Sequence, residues 1–261
     1  MHVSPLTAFA LSAALAVAAK TGAWLLQKRT RNAGTVDAIW AWTLGGLAAL
    51  YALCGDAPDA LRWTLALMGG LWGLRLGTHL WRRNHGRPED WRYAQFRAQW
   101  GAAADFKMFW FFQFQNLFTL MLAASAYLPL AYRDTLPAPW QFALALSLWL
   151  IAVLGERLAD RQMEAFRANP ANKNRVCAQG LWRCSRHPNY FFECLHWCAY
   201  LPLALGAPYG WAGLAAPLIM AWLLLKLSGV PLLEAEMLRR KPDYAEYLRR
   251  TPALIPWFPK S

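Results

Sequence analysis

Residues 180–197 read GLWRCSRHPNYFFECLHW, and the fold turns on what kind of helix starts there. Ser185, Arg186 and His187 run into Pro188. Proline suits the first helical position, where its missing N–H would be an orphan anyway. The three-to-four residue repeat then sets Asn189, Glu193, His196 and Trp197 on roughly one face. With Arg183 and Arg186 around it, this helix start is a ready anion site. The remainder of the helix is apolar, so its polar face needs a reason to exist if the helix lies in lipid.

Working outward, the chain is 57% hydrophobic with a mean hydropathy of +0.17, too apolar for an ordinary soluble domain. Seven apolar runs are expected to cross a membrane, at 5–26, 36–54, 61–81, 107–130, 139–158, 189–206 and 209–230. Each is near the roughly 20 residues that span the hydrocarbon core. The sixth is interrupted by Glu193, His196 and Pro202, the third carries Arg75 and His79, and the fourth carries Gln113, Gln115 and Asn116. The 16 tryptophans suit interfacial belts.

Of the 27 Lys and Arg, 22 lie in Lys28 to Arg31, Arg82 to Lys107, Arg157 to Arg186 and Arg239 to Lys260. These segments follow the first, third, fifth and seventh runs, whereas Gly55–Ala60 and Ala131–Pro139 are nearly free of positive charge. The positive-inside rule makes the basic segments cytoplasmic. The expectation is an all-α polytopic bundle of seven transmembrane helices, N-terminus outside and C-terminus cytoplasmic, in a single domain over 1–261. The net charge of +12 then reads as topology plus contact with anionic membrane lipid, and nucleic acid is not an expected partner.

The first run lacks a basic leader and has no small-residue cleavage site before Lys28, so it is expected to remain in the mature chain. Cys54, Cys177, Cys184, Cys194 and Cys198 form no CxxC pair. Cys177 and Cys184 fall on the reducing side, where a structural disulfide is not expected. No zinc spacing, glycine-rich phosphate loop or GxSxG occurs, and no metal is expected.

Ionisable groups kept inside a membrane bundle are functional candidates. Arg75 and His79 share one face of the third run, and the segment 82–93, RRNHGRPEDWRY, interleaves cations, acids and aromatics. Topology accounts for its cations but not for the clustering of Glu89, Asp90, Arg92 and Tyr93. Glu156 and Asp160, one turn apart, read equally as an interior acid pair or as solvated partners of Arg157 and Arg161.

Three blocks together, WGLRLGTHLWRRNHGRPEDWRY, GLWRCSRHPNYFFE and YAEYLRRTPALIPWFPK, resemble the steroid 5-alpha-reductase superfamily in its bacterial branch. The resemblance runs from Val36-Asp37 to the C-terminus. The RHPxY core is shared with isoprenylcysteine carboxyl methyltransferases, whereas the asparagine and glutamate of RHPNYFFE and the terminal IPWFPK favour the reductases.

The resemblance implies a multi-pass protein of a bacterial-type inner membrane. Loops 82–106 and 159–188 and the tail 231–261 would form a cytosolic cap over NADPH. Hydride would pass to a carbon–carbon double bond conjugated to a carbonyl of a lipophilic substrate. Asn189, Glu193 and Trp197 match cofactor positions at the start of the sixth span, and the same motif adds Arg186, His187 and Tyr190. Arg175 and Arg167 match cofactor arginines, Asp160 and Glu156 an acid and amide pair, and Arg83 and Asn84 adenine-end contacts. Glu236 matches an often ionisable position.

The chemistry suits these residue types. Arginine forks bind phosphates bidentately, and the cofactor brings the hydride, leaving the protein to orient it and polarise the acceptor. In steroid-reducing members that role resembles a glutamate on span two with a tyrosine on span three. Here Asp37 occupies the first position and Trp72 the second; an indole N–H donates a hydrogen bond but delivers no proton. His79 is the other candidate acid, or an interior histidine. Two alternatives stand beside the reductase. One is a membrane methyltransferase using S-adenosylmethionine, suggested by RHPxY and Glu234/Glu236. The other is a non-catalytic lipid-binding protein. Oligomeric state is not indicated.

Overall fold

The computed structural model describes residues 3–259, which among the described residues are helical with no strand. Helices follow in the order α1 (Pro5–Thr30), α2 (Val36–Cys54), α3 (Asp59–Asn84), α4 (Trp91–Trp100), α5 (Ala104–Ala126), α6 (Leu128–Ala131) and α7 (Pro139–Ala168). After these come α8 (Leu181–Cys184), α9 (Pro188–Cys198), α10 (Leu201–Ala204), α11 (Ala215–Trp222), α12 (Val230–Arg240) and α13 (Tyr244–Arg250).

Five stretches are long and apolar enough to cross a membrane: Pro5–Thr30, Ala33–Cys54, Trp91–Ala131, Pro139–Ala168 and Gly210–Arg240. They mark the chain as a membrane protein. They coincide with the first, second, fourth, fifth and seventh expected runs. The third run forms α3, which has the length but carries Arg75 and His79 in its C-terminal half and falls outside the five. The sixth run differs from expectation. Its helix stops at Cys198, turns at Ala199 and Tyr200, and restarts at Leu201. Pro202 explains the break: it has no N–H for the Cys198 carbonyl and is tolerated in the first turn of a new helix. At about 1.5 Å per residue, the eleven residues of α9 are too short to cross by themselves.

The chain divides into two compact units. The first ends at Ala138 and includes Leu203–Ala215; the second comprises Pro139–Pro202 and the chain from Ala216 onward.

In the first unit α1 turns a narrow stripe inward, Ala8, Ser12, Ala16, Lys20, Ala23 and Gln27, all buried. Spacings of three and four keep these residues on one face, and small side chains let helices approach closely. Leu6, Leu11, Leu15, Val17 and Leu25 are exposed on the remaining faces, as lipid contact requires. Each polar residue of the stripe finds a partner: Ser12 Oγ and Tyr51 Oη lie 3.0 Å apart, Lys20 Nζ donates to Gln115 Oε1 at 2.9 Å, and Gln27 reaches Asp105 at 3.4 Å. Helices α2 and α3 meet at glycines. A Cβ on Gly73 would lie 2.7 Å from both the Ala41 carbonyl oxygen and Gly45 Cα. No side chain fits there.

In the second unit α7 and α9 pack at Gly155, whose position faces the Phe192 ring; a Cβ there would lie 2.3 Å from it. The connection after α7 folds back onto that helix. Trp182 Nε1 donates to the Ala159 carbonyl at 2.9 Å, and Leu181 N–H to Gln162 Oε1 at 2.9 Å. Phe166, Cys177 and Trp182 form a small core beneath it.

Candidate functional site

Asp37 sits in the first turn of α2, and the segment after α3 folds over it. Asp90 caps α4 by accepting from the Arg92 N–H at 3.0 Å. That cap starts the helix that aims Arg92 and Tyr93 at Asp37. Arg92 Nη2 donates to Asp37 Oδ2 at 3.1 Å, Tyr93 Oη donates to Asp37 Oδ1 at 2.9 Å, and Arg92 Nε donates to Asp90 Oδ1 at 2.9 Å. Burial alone would raise the Asp90 carboxyl; the hydrogen bond and charge of Arg92 outweigh it and hold the group below the usual range. Glu89 completes the lid, binding Arg97 at 2.9 Å and accepting from the Ala33 N–H at 2.8 Å.

Other expected residues of this unit fall around that cluster. Trp72 is wholly buried and packs edge-on to Trp40. His79 is half-buried on α3 and Arg83 is exposed at its end. Asn84 is buried: its Nδ2 donates to the Gly34 carbonyl at 2.9 Å, while Asn32 Nδ2 donates to the carbonyls of Asn84 and Arg87. In this arrangement Asn84 locks the loop.

The opening motif lies in the second unit, bound to the tail. Arg186 Nε donates to Glu234 Oε1 at 2.7 Å, and its Nη1 reaches the carbonyls of Leu248 and Thr251. His187 Nε2 lies 3.0 Å from the same Glu234 oxygen, and its ring stacks on Tyr190. Ser185 Oγ donates to the Leu254 carbonyl at 2.8 Å, the Arg186 N–H to Pro252 O at 2.9 Å, and the Trp257 N–H to Cys184 O at 2.8 Å. Tyr247 and Tyr244 are buried beneath, and burial pushes both phenols up. The positive helix start read from sequence is thus bonded to one glutamate and a row of carbonyls.

Along α9 the predicted face is real. Glu193, His196 and Trp197 are buried together, with Trp197 Nε1 donating to Glu193 Oε1 at 3.0 Å and His196 Nε2 lying 3.3 Å from Tyr200 Oη. Asn189, at its head, keeps a buried Oδ1 that meets no donor. On α7, Glu156 is buried and Asp160 half-buried. Arg167 and Arg175 are exposed. Lys241 Nζ donates to the Arg175 carbonyl, and burial followed by the charge of Arg167 lowers the Lys241 ammonium. Glu236 is held on its own helix by Arg239 and Arg240.

Tyr93, expected only as one member of a charged cluster, is the phenol that reaches Asp37, and a second residue, Lys20, was not expected at all. Lys20 interrupts an apolar run in register with Ala16, Ala23 and Gln27, and that register was the available signal.

Residues 23–251 match the family described as "Protein of unknown function (DUF1295)". The chain belongs to DUF1295. An uncharacterized protein of Schizosaccharomyces pombe is 28% identical to this DUF1295 member over 207 residues, 68% of this chain and 59% of the relative. The chain therefore spans less than two thirds of that relative's length. No solved structure matches it.

Proposed function

We propose that this DUF1295 protein is a member of the steroid 5-alpha-reductase superfamily that transfers a hydride from NADPH to an activated C=C bond of a lipophilic enone. The reading includes seven spans with the N-terminus outside and the C-terminus cytoplasmic, in a bacterial-type inner membrane. The observation that carries it is the cationic group of Arg167, Arg175 and Lys241. Arg175 is exposed with its guanidinium engaging no described residue, while Lys241 is depressed by burial and by Arg167. Clustered cations that include an exposed guanidinium suit a polyanion such as a dinucleotide phosphate.

Asn189 supports the same reading. A buried amide oxygen without a donor fits the carboxamide N–H₂ of a nicotinamide. NADPH supplies the hydride when bound; the chain's own residues have to hold it, exclude water and stabilise charge on the acceptor. Arg167 and Arg175 would hold phosphate, and Asn189 and Glu193 would orient the polar groups.

The methyltransferase alternative was suggested by RHPxY together with Glu234 and Glu236, and both glutamates are paired with arginines. The test is cofactor competition on purified protein in nanodiscs, read by NADPH fluorescence. NADPH is expected to bind and S-adenosylmethionine not to displace it. Displacement by S-adenosylmethionine, or no NADPH binding by folded protein, removes the reductase reading.

A further inference from the structure

The inward stripe of α1 carries a lysine that takes no part in the proposed cofactor site. Lys20 is wholly buried within an apolar helix. Its Nζ makes one hydrogen bond, to Gln115 Oε1 on α5, and among the described residues no carboxylate lies within ion-pair distance. An ammonium has three hydrogens, so two are uncommitted. The next residue of α5, Asn116, is buried too; its Nδ2 goes to Gln113 and its Oδ1 meets no donor. Polar groups left unmet inside a membrane bundle are costly, and those retained there are functional candidates.

The Asp37 carboxylate of α2, a helix packed on α1, already holds its own donors. The single hydroxyl hydrogen of Tyr93 goes to Asp37 Oδ1, and Arg92 uses Nε and Nη2 on Asp90 and Asp37. Lys20 alone in this group combines full burial with hydrogens to spare. A donor with hydrogens to spare on an inward stripe of small apolar residues suits a neutral carbonyl oxygen as acceptor.

We propose that Lys20 binds the carbonyl oxygen of a lipophilic ligand among α1, α2 and α5. The site stands without the cofactor, and only its catalytic consequence rests on the reductase reading. There, hydride from NADPH adds to the β-carbon of the enone and the C=C electron pair moves towards the carbonyl oxygen. A proton from water completes the α-carbon, and NADP⁺ is the oxidised product. Lys20 keeps its protons and stabilises the charge growing on oxygen.

The test uses dodecanal as probe on the full chain in lipid nanodiscs, with cyanoborohydride present. The amine attacks the aldehyde, the carbonyl oxygen leaves as water, and hydride from cyanoborohydride reduces the C=N bond to a stable secondary amine. Peptide mass spectrometry is expected to find the dodecyl group on Lys20, reduced at least tenfold by excess of a steroid enone. Lys20→Arg retains charge and donors but forms no such adduct, so the label must vanish from that peptide while the helical circular dichroism persists. Labelling confined to exposed Lys28 and Lys107, or labelling of Lys20 indifferent to the enone, overturns the proposal. Lys20 labelling in protein that binds no NADPH keeps the carbonyl site and removes the reductase. NADPH binding with Lys20 untouched does the reverse.

Discussion

Tyr93 donates its hydroxyl hydrogen to Asp37 Oδ1 across 2.9 Å. The position on α3 where a tyrosine was expected holds Trp72, yet a tyrosine reaches the α2 carboxylate from α4 instead. The acid–phenol pair is thus assembled from residues 56 apart in sequence, and its geometry depends on the Asp90 cap that starts α4.

Tyr93→Phe removes one of the two side-chain donors, Tyr93 and Arg92, described at Asp37. A hydrogen bond to a charged group contributes about 1.5–3 kcal/mol, so thermal unfolding in detergent is expected to show a loss of that order. Phe fills the same buried space. An unchanged melting temperature would mean the Asp37 contact contributes nothing to the fold.

Gly73→Val is expected to be severely destabilising, because the added atoms meet α2 backbone where a single Cβ already lies at 2.7 Å. Overpacking typically costs about 1–3 kcal/mol, and rigid backbone on both sides sets this case at the upper end. Gly70→Ala is the control. Nothing lies within 4 Å of its Cβ, and the exchange favours the helix by up to about 1 kcal/mol. Opposite shifts in the melting temperatures of the two variants are the expected result.

The Asp90 carboxyl, held below its ordinary range by Arg92 against the effect of burial, sets an acid limit on the 85–92 segment. A depressed carboxyl stabilises the fold above its unfolded pKa, and that contribution is lost as pH falls through the folded value. Hydrogen exchange over residues 85–92 is expected to accelerate on acidification in the wild type. In Asp90→Asn it should be faster near neutral pH and flatter towards acid. Identical pH profiles would show that Asp90 does not titrate with the segment.

Arg186→Met is expected to release the tail. The change unpairs a mostly buried Glu234 and removes the bonds to Leu248 and Thr251. Breaking a buried pair from one side costs roughly 3–5 kcal/mol; His187, 3.0 Å from the same oxygen, offsets part of it. Trypsin cleavage at Arg249 and Arg250 should quicken severalfold. Unchanged cleavage would contradict the tail's dependence on Arg186.

What could be read beforehand follows the range of the forces involved. Apolar runs are local, so α1, α2, α5 and α7 lie where hydropathy set them, and the polar face of Glu193, His196 and Trp197 follows from helix period alone. The break after Cys198 was foreshadowed by Pro202, whose effect on the ladder is local too. Asp37–Tyr93 and Arg186–Glu234 were out of reach because each joins distant segments whose register is set by tertiary packing. Lys20 was hidden differently: a hydropathy average over a span absorbs one cation, and only the inward stripe of small residues singles it out. The basic RHP motif, expected as an anion site, instead satisfies the carbonyls of a tail far downstream, because that pairing too joins distant segments.

The central claim is that Arg167, Arg175 and Lys241 receive the phosphates of NADPH. Titration calorimetry of the full chain in nanodiscs tests it most directly, comparing NADPH with NADH in wild type and in Arg175→Ala. The account predicts at least tenfold tighter binding of NADPH than of NADH, a preference that Arg175→Ala abolishes without changing the melting temperature. Equal affinity for the two cofactors, or no binding of either by folded protein, would contradict it.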